Sequence, residues 1–173
     1  MLKDLNGLVI TGFMGTGKSV VGKELSIELK MEFVDLDEVI EKEMDLRILD
    51  IFETMGEDSF REVESIHLKE VLSSPGRVVS TGGGAIISRE NRILMGAYGP
   101  VICLLASPSE ILKRLEDTVD RPLLKGEERK SRISELMDMR APFYNTSDLV
   151  VDTDGKSVVL VVREIIEALG RIS

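Results

Sequence analysis

Lys18 and Ser19 are the first residues in the chain with evident chemistry, because of what precedes them. Gly12-Phe13-Met14-Gly15-Thr16-Gly17-Lys18-Ser19 meets the pattern G-x-x-x-x-G-K-[ST] at every fixed position. Glycines let the backbone curl until successive N–H groups point inward at a polyphosphate. The lysine then reaches the terminal phosphates, and the hydroxyl is placed to ligate Mg²⁺. The apolar run Leu8-Val9-Ile10 lies before the stretch and Val20-Val21-Gly22-Lys23-Glu24-Leu25 after it, which reads as strand, turn and helix. The start of that helix adds unsatisfied N–H donors and the positive end of its dipole. A nucleoside triphosphate is the expected ligand.

A metal held by Ser19 needs a carboxylate nearby, normally at the end of a neighbouring strand. Phe33-Val34-Asp35 and Leu149-Val150-Val151-Asp152 both end suitably, and Asp35 is preferred because Asp37 follows it. In an extended segment that spacing points both carboxylates to one side, one for the metal and one for an acceptor. The competing reading makes Asp37 the cap of the next helix. Gly82-Gly83-Gly84 follows a third strand as a plain turn or as backbone that must approach a ligand closely. Arg61 has Glu64 at i+3 on one helix face, and Arg140 closes a helix before Ala141-Pro142-Phe143-Tyr144. Solvated surface charge is the ordinary fate of such arginines, and periodicity does not show them converging. His67, beside Phe60, Val63 and Val71, reads as a packing residue.

The elements that must position these groups alternate. Strands are expected at 7–10, 32–35, 77–80, 101–105 and 149–151. Helices are expected at 17–29, 37–44, 47–55, 57–73, 88–97, 108–116, 127–140 and 157–169. Short apolar strands alternating with helices imply a parallel sheet covered on both faces, with ligands beyond the carboxyl ends of the strands. Ser107-Pro108-Ser109-Glu110 spells a capping box. Residues 117–126 carry charge, proline and glycine without periodicity, and read as a surface connection or a lid that delivers Arg121 to phosphates. The 173 residues fit one domain. A net charge of −9 argues against nucleic acid or an anionic membrane as partner. No apolar run reaches membrane-spanning length, no signal-peptide core is seen, and the single Cys103 lies in an apolar run, so a reducing cytoplasm is expected.

Taken in order, Gly12 to Ser19, Val34-Asp35-Leu36-Asp37, Phe60-Arg61 with Glu64, Gly82-Gly83-Gly84, Arg121-Pro122-Leu123-Leu124 and Arg140 to Tyr144 resemble the shikimate kinases. These are small P-loop enzymes of the nucleoside-monophosphate-kinase-like group. The resemblance implies a three-layer α/β/α P-loop NTPase fold with a central five-stranded parallel sheet and a mobile lid. It implies transfer of the terminal phosphoryl group of ATP to the 3-hydroxyl of shikimate, with Mg²⁺, by a monomeric enzyme. Gly12, Gly15, Thr16, Gly17, Lys18, Ser19 and Val20 would hold ATP, and Arg114 would pack against adenine with the segment 152–156 around the base. Ser19 and Asp35 would hold the metal, with Ser80 near it. Asp37 would face the reacting hydroxyl, with Lys18 and Arg121 completing the catalytic set. Arg61 and Arg140 would grip the acceptor carboxylate, Glu64 would orient Arg61, Gly82 to Gly84 would line the floor, and Phe52 and Phe60 would wall the ring. Leu36 departs from the Ser or Thr usual there, and the segment around the base is poorly matched. A gluconate-kinase-like enzyme and a nucleotide-binding module without catalysis are the alternatives. The second should have shed Lys18, Asp35 or Arg121, and all three are present.

Overall fold

A computed structural model describes residues 5–115 and 129–172. Five strands, β1 (Gly7–Gly12), β2 (Glu32–Asp35), β3 (Arg77–Ser80), β4 (Val101–Leu105) and β5 (Leu149–Asp152), form one sheet in the order β2-β3-β1-β4-β5. Every pairing is parallel. Each strand therefore needs a crossover, and helices supply it: α1 (Lys18–Leu29), α2 (Leu36–Met44), α3 (Ile48–Val71), α4 (Arg89–Tyr98), α5 (Pro108–Leu115), α6 (Arg129–Tyr144) and α7 (Val158–Ile172).

Strand residues alternate between two apolar layers, as a period of two requires. Leu8, Ile10, Val78, Ile102, Leu104 and Val151 meet Val21 and Leu25 of α1 and Val161, Val162, Ile165 and Leu169 of α7. Val9, Val79, Val101 and Cys103 face the opposite way, toward buried residues of α2 to α6. Both faces of the sheet are covered, which is why its strands read as unbroken apolar runs. Cys103 is fully buried and its thiol is pushed up to about 12 by burial, so it behaves as a small hydrophobe.

Register aligns the carboxyl ends that matter. Asp35 pairs with Ser80, Ile10 with Ser80, Gly12 with Leu104, and Leu105 with Asp152. β1 lies in the middle of the sheet, so the loop that follows it opens between the ends of β3 and β4.

Three expectations are corrected in detail. The break expected between helices at 47–55 and 57–73 is a kink inside α3, at Gly56 (φ 79°, ψ 169°). Arg140 does not close its helix: α6 runs a further turn through Pro142 to Tyr144. Its continuation is held in part by Asn145 N–H donating to Ala141 O at 3.0 Å. Asp37 does not stand on an extended segment, and it is not the cap. β2 ends at Asp35, whose own carboxylate caps α2 by accepting from Asp37 N–H. The proposed lid, 117–126, with Arg121, lies outside the described residues.

Candidate active site

The loop after β1 is built for close approach. Gly12 has φ 139°, and a methyl group there would run into the carbonyl of Leu104 on the adjoining strand. Within the loop, Phe13 O is the internal anchor. It accepts from Thr16 Oγ1 at 2.7 Å, from Thr16 N–H at 3.4 Å and from Lys18 Nζ at 3.0 Å. Gly17 is the N-cap of α1, so the loop delivers its chain directly onto a helix start. Val20 follows in the first turn with more than half its surface exposed.

Ser19 and Asp35 meet at the end of β2. The Ser19 hydroxyl donates to Asp35 Oδ2 at 2.6 Å, while Asp35 Oδ1 accepts from Asp37 N–H at 3.1 Å. Donating its proton to Asp35 leaves the Ser19 oxygen lone pairs for a cation. The donor set is one hydroxyl and one carboxylate, and no cluster of three or more His, Cys, Asp or Glu suited to a metal occurs among the described residues. That composition suits Mg²⁺, which keeps waters and phosphate oxygens as its other ligands, rather than a cation needing an all-protein cage.

The triple glycine is where the remaining charges converge. A methyl group at Gly82 would stand 2.6 Å from Glu64 Oε1 and 3.0 Å from Asp37 Oδ1. One at Gly83 would stand 3.1 Å from Gly12 O and 3.5 Å from Arg140 Nη1, and one at Gly84 would run into the Arg61 guanidinium. Four charged side chains from α2, α3 and α6 thus crowd three glycines at the end of β3, beside the phosphate loop. Any other residue at Gly82 or Gly84 would displace one of them, and at Gly83 it would press on the phosphate loop at Gly12 O.

Arg61 donates to Glu64 Oε2 at 2.7 Å and to Glu57 Oε1 at 3.2 Å. Its guanidinium lies 5.8 Å from the Phe52 ring centre and 5.2 Å from that of Phe60, and those two rings are 4.4 Å apart. Burial works against its charge, but Glu64 and Glu57 together outweigh burial and hold its pKa above the usual value. Arg140 lies over Phe13 at 5.4 Å. His67, partly buried and 2.8 Å from Val63 O, is a packing residue as expected.

Glu64 is fully buried, and its Oε1 has no hydrogen-bond partner. Burial pushes its carboxyl above the usual range, Arg61 opposes that, and the negative charge of Asp37 adds to it. The consequence for stability has a definite sign. A carboxyl with a raised folded pKa binds its proton more tightly in the folded chain, so folding weakens as pH climbs from the unfolded value of about 4.3 through the folded one. Glu64→Gln, which does not titrate, should therefore gain in Tm relative to the parent chain as pH rises across that window. A Tm difference that is flat or moves the other way, by calorimetry between pH 4 and 7, would contradict this account of Glu64.

Arg114 joins α5 to two other elements. Its Nε donates to Glu110 Oε1 at 2.9 Å, Nη1 to Gly15 O at 3.3 Å and to Thr153 Oγ1 at 3.0 Å, and Nη2 to Thr153 O at 2.9 Å. The capping box is consequently half formed. Ser107 Oγ accepts from Glu110 N–H at 3.2 Å as expected. Glu110 is occupied by Arg114, and Ser107 N–H donates instead to Asp154 Oδ1 at 2.8 Å. The Ser107 side chain first, and this backbone bond after it, hold the Asp154 carboxyl below its usual range.

Two residues that the sequence does not single out belong to this site, Thr153 having been placed only within the segment 152–156 around the base. Tyr144, almost fully buried, donates from its hydroxyl to Gly83 O at 2.8 Å. Burial pushes that hydroxyl up to about 12, with the Arg140 guanidinium as the main opposing neighbour. Its spacing of four from Arg140, one helical turn, is a usable signal. Thr153 has only a weak one, its position just past a strand end.

The family model described as shikimate kinase matches residues 14–170. The shikimate kinase of Thermodesulfovibrio yellowstonii is 40% identical over 98% of this chain and 98% of its own. That of Geobacter sulfurreducens is 46% identical, over 94% of this chain and 90% of its own. The solved shikimate kinase of Acinetobacter baumannii in complex with shikimate superposes with a TM-score of 0.94 at 31% identity, covering 99% of this chain and 97% of that one. A gluconokinase of Sinorhizobium meliloti superposes with a TM-score of 0.65 at 19% identity, covering 97% and 94%, a likeness of fold alone.

Proposed function

The chain belongs to the shikimate kinase family and phosphorylates shikimate at the expense of ATP, and we propose that its own residues divide that work as follows. The observation that carries the assignment is the gathering of Asp37, Arg61, Glu64 and Arg140 around Gly82 to Gly84, against the phosphate loop.

The loop from Gly12 to Ser19 binds the polyphosphate through backbone N–H groups and the start of α1, and Lys18 exchanges Phe13 O for the terminal phosphates. Ser19 and Asp35 would hold Mg²⁺, which would supply charge neutralisation on the phosphate oxygens. Arg114 lies beside the base. Arg121 is assigned to the phosphates on sequence alone. The single-domain, monomeric and cytoplasmic assignments rest on length, family likeness and the lone buried cysteine. The net charge of −9 speaks against nucleic-acid and membrane partners, and no described helix is long and apolar enough to cross a membrane.

Arg61 and Arg140 take the acceptor carboxylate, since a planar guanidinium offers two parallel donors that lysine lacks. Of the two carboxylates now on Arg61, Glu57 is exposed and the more distant, so it is the one that a substrate carboxylate replaces. Glu64 stays and keeps the guanidinium flat against Gly84. Asp37 aims the reacting hydroxyl. Phe52 and Phe60 wall the ring.

Arg61→Ala and Arg140→Ala should each weaken shikimate binding by about 2–5 kcal/mol, the range for stripping one partner from a desolvated charge pair. ADP affinity should change little in either variant. Calorimetry that finds equal losses for both ligands would indicate a damaged fold, and no loss for shikimate would remove these arginines from the acceptor site. An ADP-release assay with shikimate, gluconate and nucleoside monophosphates tests the acceptor itself. Turnover confined to shikimate is expected, and faster turnover of gluconate would favour the other acceptor class.

A further inference from the structure

Thr153 is a polar residue buried to 3% exposure, and it sits where three separate segments meet. Its N–H and its hydroxyl both lie 2.8 Å from Leu105 O, at the end of β4. The same hydroxyl accepts from Arg114 Nη1 at 3.0 Å and lies 3.4 Å from Thr16 O in the phosphate loop. Its carbonyl accepts from Arg114 Nη2 at 2.9 Å. Arg114 in turn reaches Gly15 O at 3.3 Å. A hydroxyl has one proton and two lone pairs, so Thr153 donates chiefly to the nearer carbonyl, Leu105 O, and receives Arg114 on a lone pair.

These contacts act on the faces of peptide planes. In a planar trans peptide the C=O and N–H point in opposite directions. The Arg114 bond to the Gly15 carbonyl therefore fixes the plane of the Gly15–Thr16 peptide, and with it the direction of the Thr16 N–H, one residue before Gly17 opens α1. One hydroxyl thus bears on the arginine beside the base and on the loop that cradles the phosphates.

We infer that Thr153 is a positioning residue for the nucleotide, holding Arg114, and through it the Gly15–Thr16 peptide of the phosphate loop, in one arrangement so that base and phosphate sites are set together. The inference rests on the nucleotide assignment proposed above. It concerns a purine nucleoside di- or triphosphate, and it leaves the acceptor site alone, since the hydroxyl of Thr153 is turned to Leu105, Arg114 and Thr16.

Thr153→Val keeps the shape of the side chain and removes its hydroxyl. In the full chain, KM for ATP and Kd for ADP should rise about tenfold, as expected for losing a hydrogen bond to a charged group. KM for shikimate should stay within about twofold. Thr153→Ser and Thr153→Ala both lack the γ-methyl and differ only in the hydroxyl, so serine should restore nucleotide affinity and alanine should not. That pair carries the test if the valine variant does not fold. Equal rises in both KM values, or alanine matching serine, would reduce Thr153 to a packing residue and overturn the inference. Arg114→Ala is measured alongside. If it raises KM for ATP while no Thr153 variant does, this inference alone fails. If Arg114→Ala leaves KM for ATP unchanged, the placement of Arg114 beside the base falls and takes the inference with it.

Discussion

Lys18→Met should lower kcat by about three orders of magnitude while Tm moves by about 4 °C or less. The first number follows from what phosphoryl transfer asks of a protein, which is alignment and neutralisation of charge on oxygens with little covalent chemistry. Removing a positioned cation from such a transition state forfeits a large share of the acceleration, and methionine replaces the length of lysine without its charge. The second number follows from the bonding inside the loop. Lys18 Nζ donates to Phe13 O, but that carbonyl also accepts from Thr16 Oγ1 at 2.7 Å. It remains satisfied when the lysine is gone, so losing that partly exposed bond costs about 0.5–1.5 kcal/mol. Single-turnover kinetics beside calorimetry separate the two effects. Near-normal turnover in a folded Lys18→Met protein would remove the loop from the chemistry.

The contrast between that loop and the acceptor site explains what can be read from a sequence. The phosphate loop is local: strand, glycines, lysine and helix start follow one another, and the structure has them as the motif implies. The Arg61–Glu64 pair is local too, because three residues on a helix bring side chains together. Cys103 and the α7 stripe are legible from apolar patterning alone. The gathering of Arg61, Arg140 and Asp37 is not, since it depends on β3 lying between β2 and β1 and on α6 continuing past Arg140. The capping box shows the same limit from the other side. Ser107 and Glu110 have the right spacing, but a competing partner from the β5–α7 loop takes the Ser107 N–H, and a long-range arginine takes Glu110. Asp37 is misplaced by spacing because an interval of two fits an extended segment and a helix start equally well, and only the end of β2 at Asp35 decides between them.

That placement gives the two aspartates separable tests. Asp35 caps α2 with one oxygen and receives Ser19 with the other, whereas Asp37 contributes only its backbone N–H to the cap and turns its carboxylate toward Gly82 and Glu64. Asp37→Asn should therefore leave α2 intact. It also removes a negative charge that bears on the buried Glu64. Its effect belongs to the chemistry. An amide keeps the shape and one accepting oxygen but loses charge and basicity, and kcat should fall by on the order of 10²–10⁴, the range for a positioned acid–base group. A loose transition state asks for little early deprotonation, so alignment of the hydroxyl accounts for a large part of that loss. Shikimate should bind Asp37→Asn more tightly than it binds the Arg61→Ala or Arg140→Ala variants, because the carboxylate clamp is untouched. Asp35→Asn is the control. Asparagine also caps helices well, so its defect should lie in the metal and be partly relieved by raising Mg²⁺, while the Asp37→Asn defect should not respond. Rescue of Asp37→Asn by Mg²⁺, with Asp35→Asn unmoved, would mean that the two carboxylates have each other's role.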